Sequence, residues 1–192
     1  LAAWLGVFSG IALLYALLCT RLRWPLLGRP AIAHAPLHAI GALIVTATHA
    51  KPLQDGLGWA WLAALLVHAL VLKSLAPAWP ASARTWVHAL GVLVVAGIGA
   101  LQGRVITADW GDDGSAWAWL GWLAVPALLL LVLPRPALLR RWPVREEPSA
   151  YALWACGVLA AASLLWTLIA NLASNGSARP LPHVPLLNPL DL

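Results

Sequence analysis

The sequence is poor in charged side chains. Asp, Glu, Lys and Arg make up 10% of its 192 residues and hydrophobic residues make up 61%, against about 25% charged and ~45–50% apolar in soluble domains. This composition excludes a soluble globular domain. It also excludes intrinsic disorder, which requires low hydrophobicity.

Cysteine and methionine are also scarce. Cys19 and Cys156 lie far apart inside apolar runs, which excludes a disulfide scaffold and gives no metal-ligand spacing. Methionine is missing even at position 1, so we expect the sequence to be one segment of a longer multi-pass chain. The net charge of +5 does not indicate a nucleic-acid partner, because the basic residues separate apolar runs instead of forming a stripe with aromatics.

The aromatic residues are strongly biased towards tryptophan. One Phe and two Tyr stand beside 13 Trp, and Trp favours the boundary between lipid and water. Eleven of the Trp lie near the ends of apolar runs, and only Trp122 and Trp166 lie deeper. This distribution predicts a lipid bilayer as the surroundings of the chain.

The apolar residues fall into six runs long enough to cross a bilayer, whose core of about 30 Å needs ~20 residues of helix. The runs cover residues 1–20, 32–49, 58–72, 85–101, 117–133 and 150–172. Stretches such as 127–133 are apolar on every side and lack the alternation of barrel strands. We therefore predict an all-α, polytopic transmembrane bundle of about six spans, forming one domain over residues 1–192.

The orientation of the bundle follows from its basic residues, which concentrate in cytoplasmic loops. Nine of the 12 Lys and Arg lie in the first, third and fifth connections. We therefore predict that the N-terminus lies outside and that these connections are cytoplasmic, in a bacterial inner membrane.

Small residues and prolines within the spans predict local packing. Gly6 with Gly10, Gly99 with Gly103, and Gly157 with Ala161 have the four-residue spacing that allows close helix contacts in lipid. Pro36 and Pro126 are expected to bend or break the second and fifth spans.

Four ionisable side chains within the spans are candidates for function, because such groups are costly in lipid. They are His34, His38, His68 and His88. The predicted orientation places all four in the cytoplasmic half of the bundle, and the i, i+4 spacing places the first two on one helical face.

Three interpretations of these histidines remain open. They have the donor type of metal or haem ligands, but no carboxylate or Cys accompanies them, and we expect no metal and no cofactor. They suit a proton relay or the polar lining of a transport path. They are also compatible with neutral rings that hydrogen-bond to neighbouring helices.

A second candidate site lies on the predicted outer side. Asp109, Asp112 and Asp113 stand around two glycines in the connection after the fourth span, a pattern typical of a solvated turn and also able to coordinate a hard cation. Asn188, followed by Pro189 and Asp191, has the pattern of a helix start, so we expect a seventh helix to begin there.

The C-terminal segment also carries a family resemblance. Its residues NLASNGSARPLPHVPLLNPLDL follow an apolar helix with Leu164, Leu165 and Trp166. They resemble the pattern NxxxxGxxxPLPYxPLLNPLDL of a bacterial family of membrane proteins known as domain of unknown function 2339, with His183 in the place of Tyr. The resemblance implies a long polytopic inner-membrane protein, whose further transmembrane helices would be partners of this segment, and it implies no established activity.

Three classes of function follow from these patterns. A carrier or cell-envelope component that handles a small molecule or lipid-linked group predicts a polar cavity shared by His38, His68 and His88. An intramembrane transferase acting on envelope glycans or lipids predicts that Asp109, Asp112, Asp113 and Asn188 gather over a groove. A packing scaffold for partner proteins predicts neither.

The orientation is tested by fusing a reporter to the predicted connections. A fluorescent protein joined after Arg145 is expected to fluoresce, and alkaline phosphatase joined there is expected to be inactive, because the fifth connection is predicted to be cytoplasmic. Fusions after Lys51, on the predicted outer side, serve as the control and should behave in the opposite way. Phosphatase activity after Arg145 would contradict the orientation.

Overall fold

The computed structural model of the chain describes residues 1–48, 51–110, 115–174 and 177. In this part of the chain all regular secondary structure is helical, and seven α-helices follow one another. They are α1 (Ala2–Leu22), α2 (His34–Ala47), α3 (Leu57–Leu75), α4 (Ala81–Thr107), α5 (Ala116–Val132), α6 (Pro136–Leu139) and α7 (Cys156–Ala173). A π-helical segment, Ala150–Ala155, leads directly into α7.

The predicted helical membrane bundle is confirmed. Five helical stretches within the described residues are long and apolar enough to cross a membrane: Ala2–Leu22, Pro25–Ala47, Leu57–Ala78, Ala81–Trp110 and Ala150–Ala173. The fifth predicted span is a shorter apolar helix of 17 residues, Ala116–Val132. It lies at the lower limit of the roughly 17–25 residues that span a bilayer.

The surface of the bundle is apolar. Large hydrophobic side chains point outwards on the first and last long helices, among them Val7, Ile11, Leu14, Leu164, Leu165, Leu168 and Leu172. Leu172 is 90% exposed, a state that is favourable in lipid and costly in water. The hydrocarbon of a bilayer is therefore the medium that this surface fits.

Helix α4 is the centre of the bundle. Its buried residues lie on several faces, and it packs against α2, α3, α5 and the π-helical segment. At 27 residues it also extends beyond the predicted span 85–101 at both ends. Polar residues such as Arg84 and Gln102 mark the end of an apolar run, but they do not stop a helix, because their backbone groups continue the hydrogen-bond ladder.

Helix α2 starts after two 3-10 turns, Pro25–Gly28 and Pro30–Ala33. Pro36 lies in its first turn, where the missing N–H leaves no helical hydrogen bond unmade. Helix α5 runs through Pro126 from Ala116 to Val132. Neither proline therefore breaks its helix.

The tryptophans divide between the surface and the interior. Trp61 is 2% exposed and packs among Leu5, Val45 and Ile98, so its position near a span end does not place it against lipid headgroups. Trp79 is also buried, and its indole N–H donates to the Gly28 carbonyl at 2.9 Å. The two deeper tryptophans, Trp122 and Trp166, pack against each other with ring centroids 5.2 Å apart. Trp61 and Trp79 are therefore packed inside the bundle, although their positions near span ends predict the membrane boundary.

Of the three predicted small-residue contacts, one forms. A methyl group added at Gly103 would overlap the carbonyl oxygen of Gly121, and one added at Gly99 would overlap Val125, so α4 and α5 approach through these glycines. A methyl group added at Gly6, Gly10 or Gly157 would meet no atom within 4 Å, so the predicted contacts there are wrong for the described residues. Small residues four positions apart are common in any segment rich in Gly and Ala, so the position of the neighbouring helix decides which of these pairs forms a contact.

The α4–α5 contact is tested by Gly103→Ala. Because the new methyl group would overlap backbone rather than a flexible side chain, we expect the free energy of unfolding in detergent to fall by about 1–3 kcal/mol. Gly97→Ala, on the same helix but facing open space, is the matched control and should be neutral or stabilising by up to about 1 kcal/mol, because alanine favours the helix. Equal effects of the two variants would contradict the close approach.

Candidate functional site

A buried histidine at the start of α2 joins this helix to α3. His34 is 2% exposed, and its Nδ1 is hydrogen-bonded to the carbonyl oxygen of Ala31 in the preceding turn. Its Nε2 lies 2.8 Å from Nδ1 of His68 on α3. Two of the four predicted histidines therefore share a direct hydrogen bond.

The partners of His34 determine its tautomer. A carbonyl oxygen only accepts, so Nδ1 of His34 carries the hydrogen that is donated to Ala31. In the neutral ring Nε2 is then an acceptor, and the Nδ1–H of His68 donates to it. Within the described residues, Nε2 of His68 makes no hydrogen bond and lies against Gly91 of α4.

His38 lies one turn further along α2 and connects the pair to α1. Its Nε2 is 3.1 Å from the hydroxyl oxygen of Ser9, which is 5% exposed. The centroids of the His34 and His38 rings are 5.6 Å apart, with the rings close to perpendicular. Helices α1, α2 and α3 thus contribute to one buried group, the histidine cluster, formed by Ser9, His34, His38 and His68.

A glycine on α4 makes room for this cluster. A methyl group added at Gly91 would overlap the ring of His68 at Nε2. The missing side chain therefore lets the ring of His68 lie directly against α4. Any larger residue at this position would displace the imidazole.

His88 forms a second polar pair, between α4 and the π-helical segment. Its Nδ1 lies 2.8 Å from the hydroxyl of Tyr151, and the rings meet edge to face with centroids 5.5 Å apart. His88 is 2% exposed, and its Nε2 has no hydrogen-bond partner within the described residues. A buried polar atom without a partner costs about 1–3 kcal/mol, so this position favours a water molecule or a ligand.

His68 and His88 line the same cavity. This inner cavity has a volume of about 230 Å³, and its walls also include Leu65, Leu72 and Tyr151. It is apolar apart from the two histidines and the tyrosine, and is therefore less polar than the cavity the sequence suggests. His38 and His68 border a separate void of about 10 Å³, which is at the limit of ~10–15 Å³ needed for one water molecule.

A second, larger space adjoins the inner cavity. This vestibule has a volume of about 520 Å³ and shares Leu72 and His88 with the inner cavity. Lys73, Arg84, Arg145 and Glu146 line it, so its wall is charged. His88 therefore stands at the boundary between a charged space and an apolar one.

A buried carboxylate holds one side of the vestibule in place. Glu147 is 8% exposed, accepts a hydrogen bond from the Thr85 hydroxyl at 3.2 Å and forms an ion pair with Nε of Arg84. These contacts tie the start of α4 to the segment before the π helix. They also hold Tyr151, four residues later, in reach of His88.

Sequence reasoning missed the residues that complete these networks. Ser9, Gly91, Tyr151 and Glu147 are common residue types at unremarkable positions, and their spacing carries no signal. The one available hint is that a buried histidine needs partners on other helices, which indicates that such residues exist but does not identify them.

Comparison with known proteins supplies a family. The model of the DUF2339 family, described as predicted membrane protein, matches residues 2–192. The chain belongs to this family. The match includes the helices that contribute to the histidine cluster and is therefore wider than the C-terminal segment on which the resemblance rests. No curated protein matches the chain, and no solved structure matches it.

The outer acidic site is only partly described in this DUF2339 member. Asp109 lies on the exposed 3-10 turn Ala108–Trp110 that follows α4. Asp112, Asp113 and Asn188 lie outside the described residues. His88 lies near the start of α4 and Asp109 lies just beyond its end, 21 positions later, so the two candidate sites are separated by about 30 Å along the helix axis.

The histidine cluster does not have the form of a metal site. Within residues 1–48, 51–110, 115–174 and 177, no group of three or more His, Cys, Asp or Glu side chains is placed to hold a metal ion. The hydrogen bonds at both nitrogens of His34 leave its ring no lone pair for a metal.

A double-mutant cycle tests the link between His34 and His68. We expect the unfolding free energies of His34→Ala, His68→Ala and the double variant to give a coupling of about 0.6–1.7 kcal/mol, as measured for hydrogen bonds between membrane helices. The control cycle pairs His34→Ala with Tyr151→Phe, which lie in separate networks, and should give a coupling below about 0.5 kcal/mol. Equal couplings in the two cycles would contradict the direct bond.

Proposed function

We propose that the chain is part of a carrier or cell-envelope component of a bacterial inner membrane, which moves a small molecule or a lipid-linked group. In this proposal His34, His38, His68 and His88 form the proton-conducting lining of the path. The observation that carries it is the hydrogen-bonded pair His34–His68, because His68 also lines the cavity that His88 lines.

The hydrogen-bond pattern suits a proton relay. A proton taken up at Nε2 of His68 releases the Nδ1 hydrogen of the same ring to Nε2 of His34. His34 then carries the positive charge, and its Nδ1–H stays bonded to the Ala31 carbonyl. His38 lies next along α2, with Ser9 as its partner and its ring centroid 5.6 Å from that of His34, so a bridging water would be needed to carry the proton on to it.

Water in the inner cavity would complete the path to the vestibule. A volume of about 230 Å³ is large enough for water, and His68, His88 and Tyr151 are the polar residues on its wall. Proton transfer requires hydrogen-bond contact or a single bridging water at each step. The cavity therefore supports transfer between His88 and His68 without a direct contact.

The interpretation of structural hydrogen bonds also stays a prediction, because neutral rings that join neighbouring helices make the same bonds to Ala31, Ser9 and Tyr151. The intramembrane transferase and the packing scaffold stay predictions, and no contact among the described residues favours either of them.

Proton flux into proteoliposomes tests this proposal. With a pH-sensitive dye trapped inside and an imposed pH gradient, the wild-type chain is expected to dissipate the gradient. His68→Asn places an amide near the position of Nδ1 and keeps a donor for His34, but it cannot relay a proton, so we expect the flux to fall by about 10-fold or more.

The control for this experiment is Asn171→Ala. Asn171 is a polar residue on the exposed face of α7, bonded to the Thr167 carbonyl and distant in sequence from the histidine cluster. This variant should keep the wild-type flux. A wild-type flux equal to that of empty liposomes, or an equal loss in both variants, would overturn the relay.

A further inference from the structure

We infer that the vestibule is a binding site for a phosphate-bearing anionic group. Its side chains come from α3, α4 and the connection between α5 and the π-helical segment, and include Lys73, His88, Trp142 and Arg145. Its volume of about 520 Å³ lies within the roughly 300–1,000 Å³ of small-molecule sites.

Two cations of the vestibule are available to a ligand. Lys73 lies in the last turn of α3, is exposed, and forms no ion pair with an acidic side chain in the described residues. Arg145 pairs with its neighbour Glu146 at 3.0 Å, but both side chains are about half exposed or more, at 66% and 49%. Such surface pairs contribute little, so Arg145 can exchange Glu146 for a phosphate oxygen.

The third cation has a different role. Arg84 is held by the buried Glu147, so it shapes the wall of the vestibule and its charge is largely neutralised. The excess positive charge of the vestibule therefore resides on Lys73 and Arg145.

His88 supplies a polar group at the inner end. The residue is 2% exposed, and its Nε2 has no partner in the described part of the chain. When the Tyr151 hydroxyl donates to Nδ1, Nε2 carries the hydrogen and is a donor for an anionic oxygen. His88 lines the vestibule, but this nitrogen is fully buried, so a phosphate bound by Lys73 and Arg145 reaches it only when the ring turns.

The remaining walls suit a ligand with an apolar part. Leu72, Ala76 and Pro77 line one side, and Trp142 is 41% exposed beside them. Basic pockets between transmembrane helices on the cytoplasmic side are known binding sites for anionic lipid headgroups. The vestibule lies at the end of the bundle that the charge distribution predicts to be cytoplasmic, where both anionic lipids and soluble phosphates are present.

This inference goes beyond the proposed proton path, because it concerns binding in the vestibule and not transfer through the His34–His68 pair. Binding without proton flux would retain the site and remove the relay. Proton flux that depends on His68, without binding of either phosphate probe, would support the relay and contradict the binding site.

The test measures binding to the purified chain in neutral detergent with two probes. Pyrophosphate represents soluble phosphates, and short-chain phosphatidylglycerol represents anionic headgroups, with phosphatidylcholine of the same chain length as the uncharged reference. The double variant Lys73→Gln/Arg145→Gln is compared with the control Arg135→Gln/Arg140→Gln. The control removes the same charge from two exposed residues that lie in the same connection as Arg145 but do not line the vestibule.

We expect saturable binding of at least one anionic probe, weakened about 10-fold or more by Lys73→Gln/Arg145→Gln and within about 2-fold of wild type in the control pair. If pyrophosphate binds and displaces phosphatidylglycerol, the site is assigned to a soluble phosphate. If phosphatidylglycerol binds and pyrophosphate does not, the site is assigned to a lipid headgroup. Failure of both probes to saturate, or an equal loss in the two double variants, would overturn the proposal.

Discussion

Every polar group inside a bilayer must find its partner within the protein, and this constraint organises the bundle. Lipid cannot satisfy a buried imidazole, so each of the four histidines is bonded through at least one ring nitrogen to another group of the chain. His34 bonds to Ala31 and His68, His38 to Ser9, and His88 to Tyr151. These bonds join α1, α2 and α3 in one network and α4 to the π-helical segment in another, and so they help to fix both the neighbouring helices and the place of the candidate site.

Close packing around α4 makes these bonds possible. Gly91 lets the ring of His68 lie against the helix, while Gly99 and Gly103 let α5 approach on another side. In lipid, helices gain no hydrophobic energy from association, so these close contacts and the hydrogen bonds between helices both stabilise the bundle. The site and the stability of the fold therefore depend on the same residues, and a variant of the histidine cluster has to be judged on both.

Much of the architecture follows from the composition and the length of the apolar runs. The all-helical bundle, five of the long spans and the membrane environment are predicted from residues alone, because a bilayer leaves helices as the main solution for apolar runs without alternation. The helix ends are less accurate, as the extended α4 shows, since a change in hydropathy is not a change in backbone conformation. Trp61 shows a similar limit: its position in the sequence fits the interface, yet its neighbours bury it.

The candidate site divides in the same way between sequence and structure. The sequence by itself determined that four histidines lie within apolar spans, because ionisable residues in such runs are rare and costly. Only the tertiary structure decided that His34 and His68 share a hydrogen bond, that His88 faces the same cavity, and that Ser9, Gly91 and Tyr151 complete the networks. The physical reason is that hydropathy is a property of one segment, whereas a hydrogen bond between helices depends on their relative rotation and depth. Those are set by packing between residues far apart in the chain.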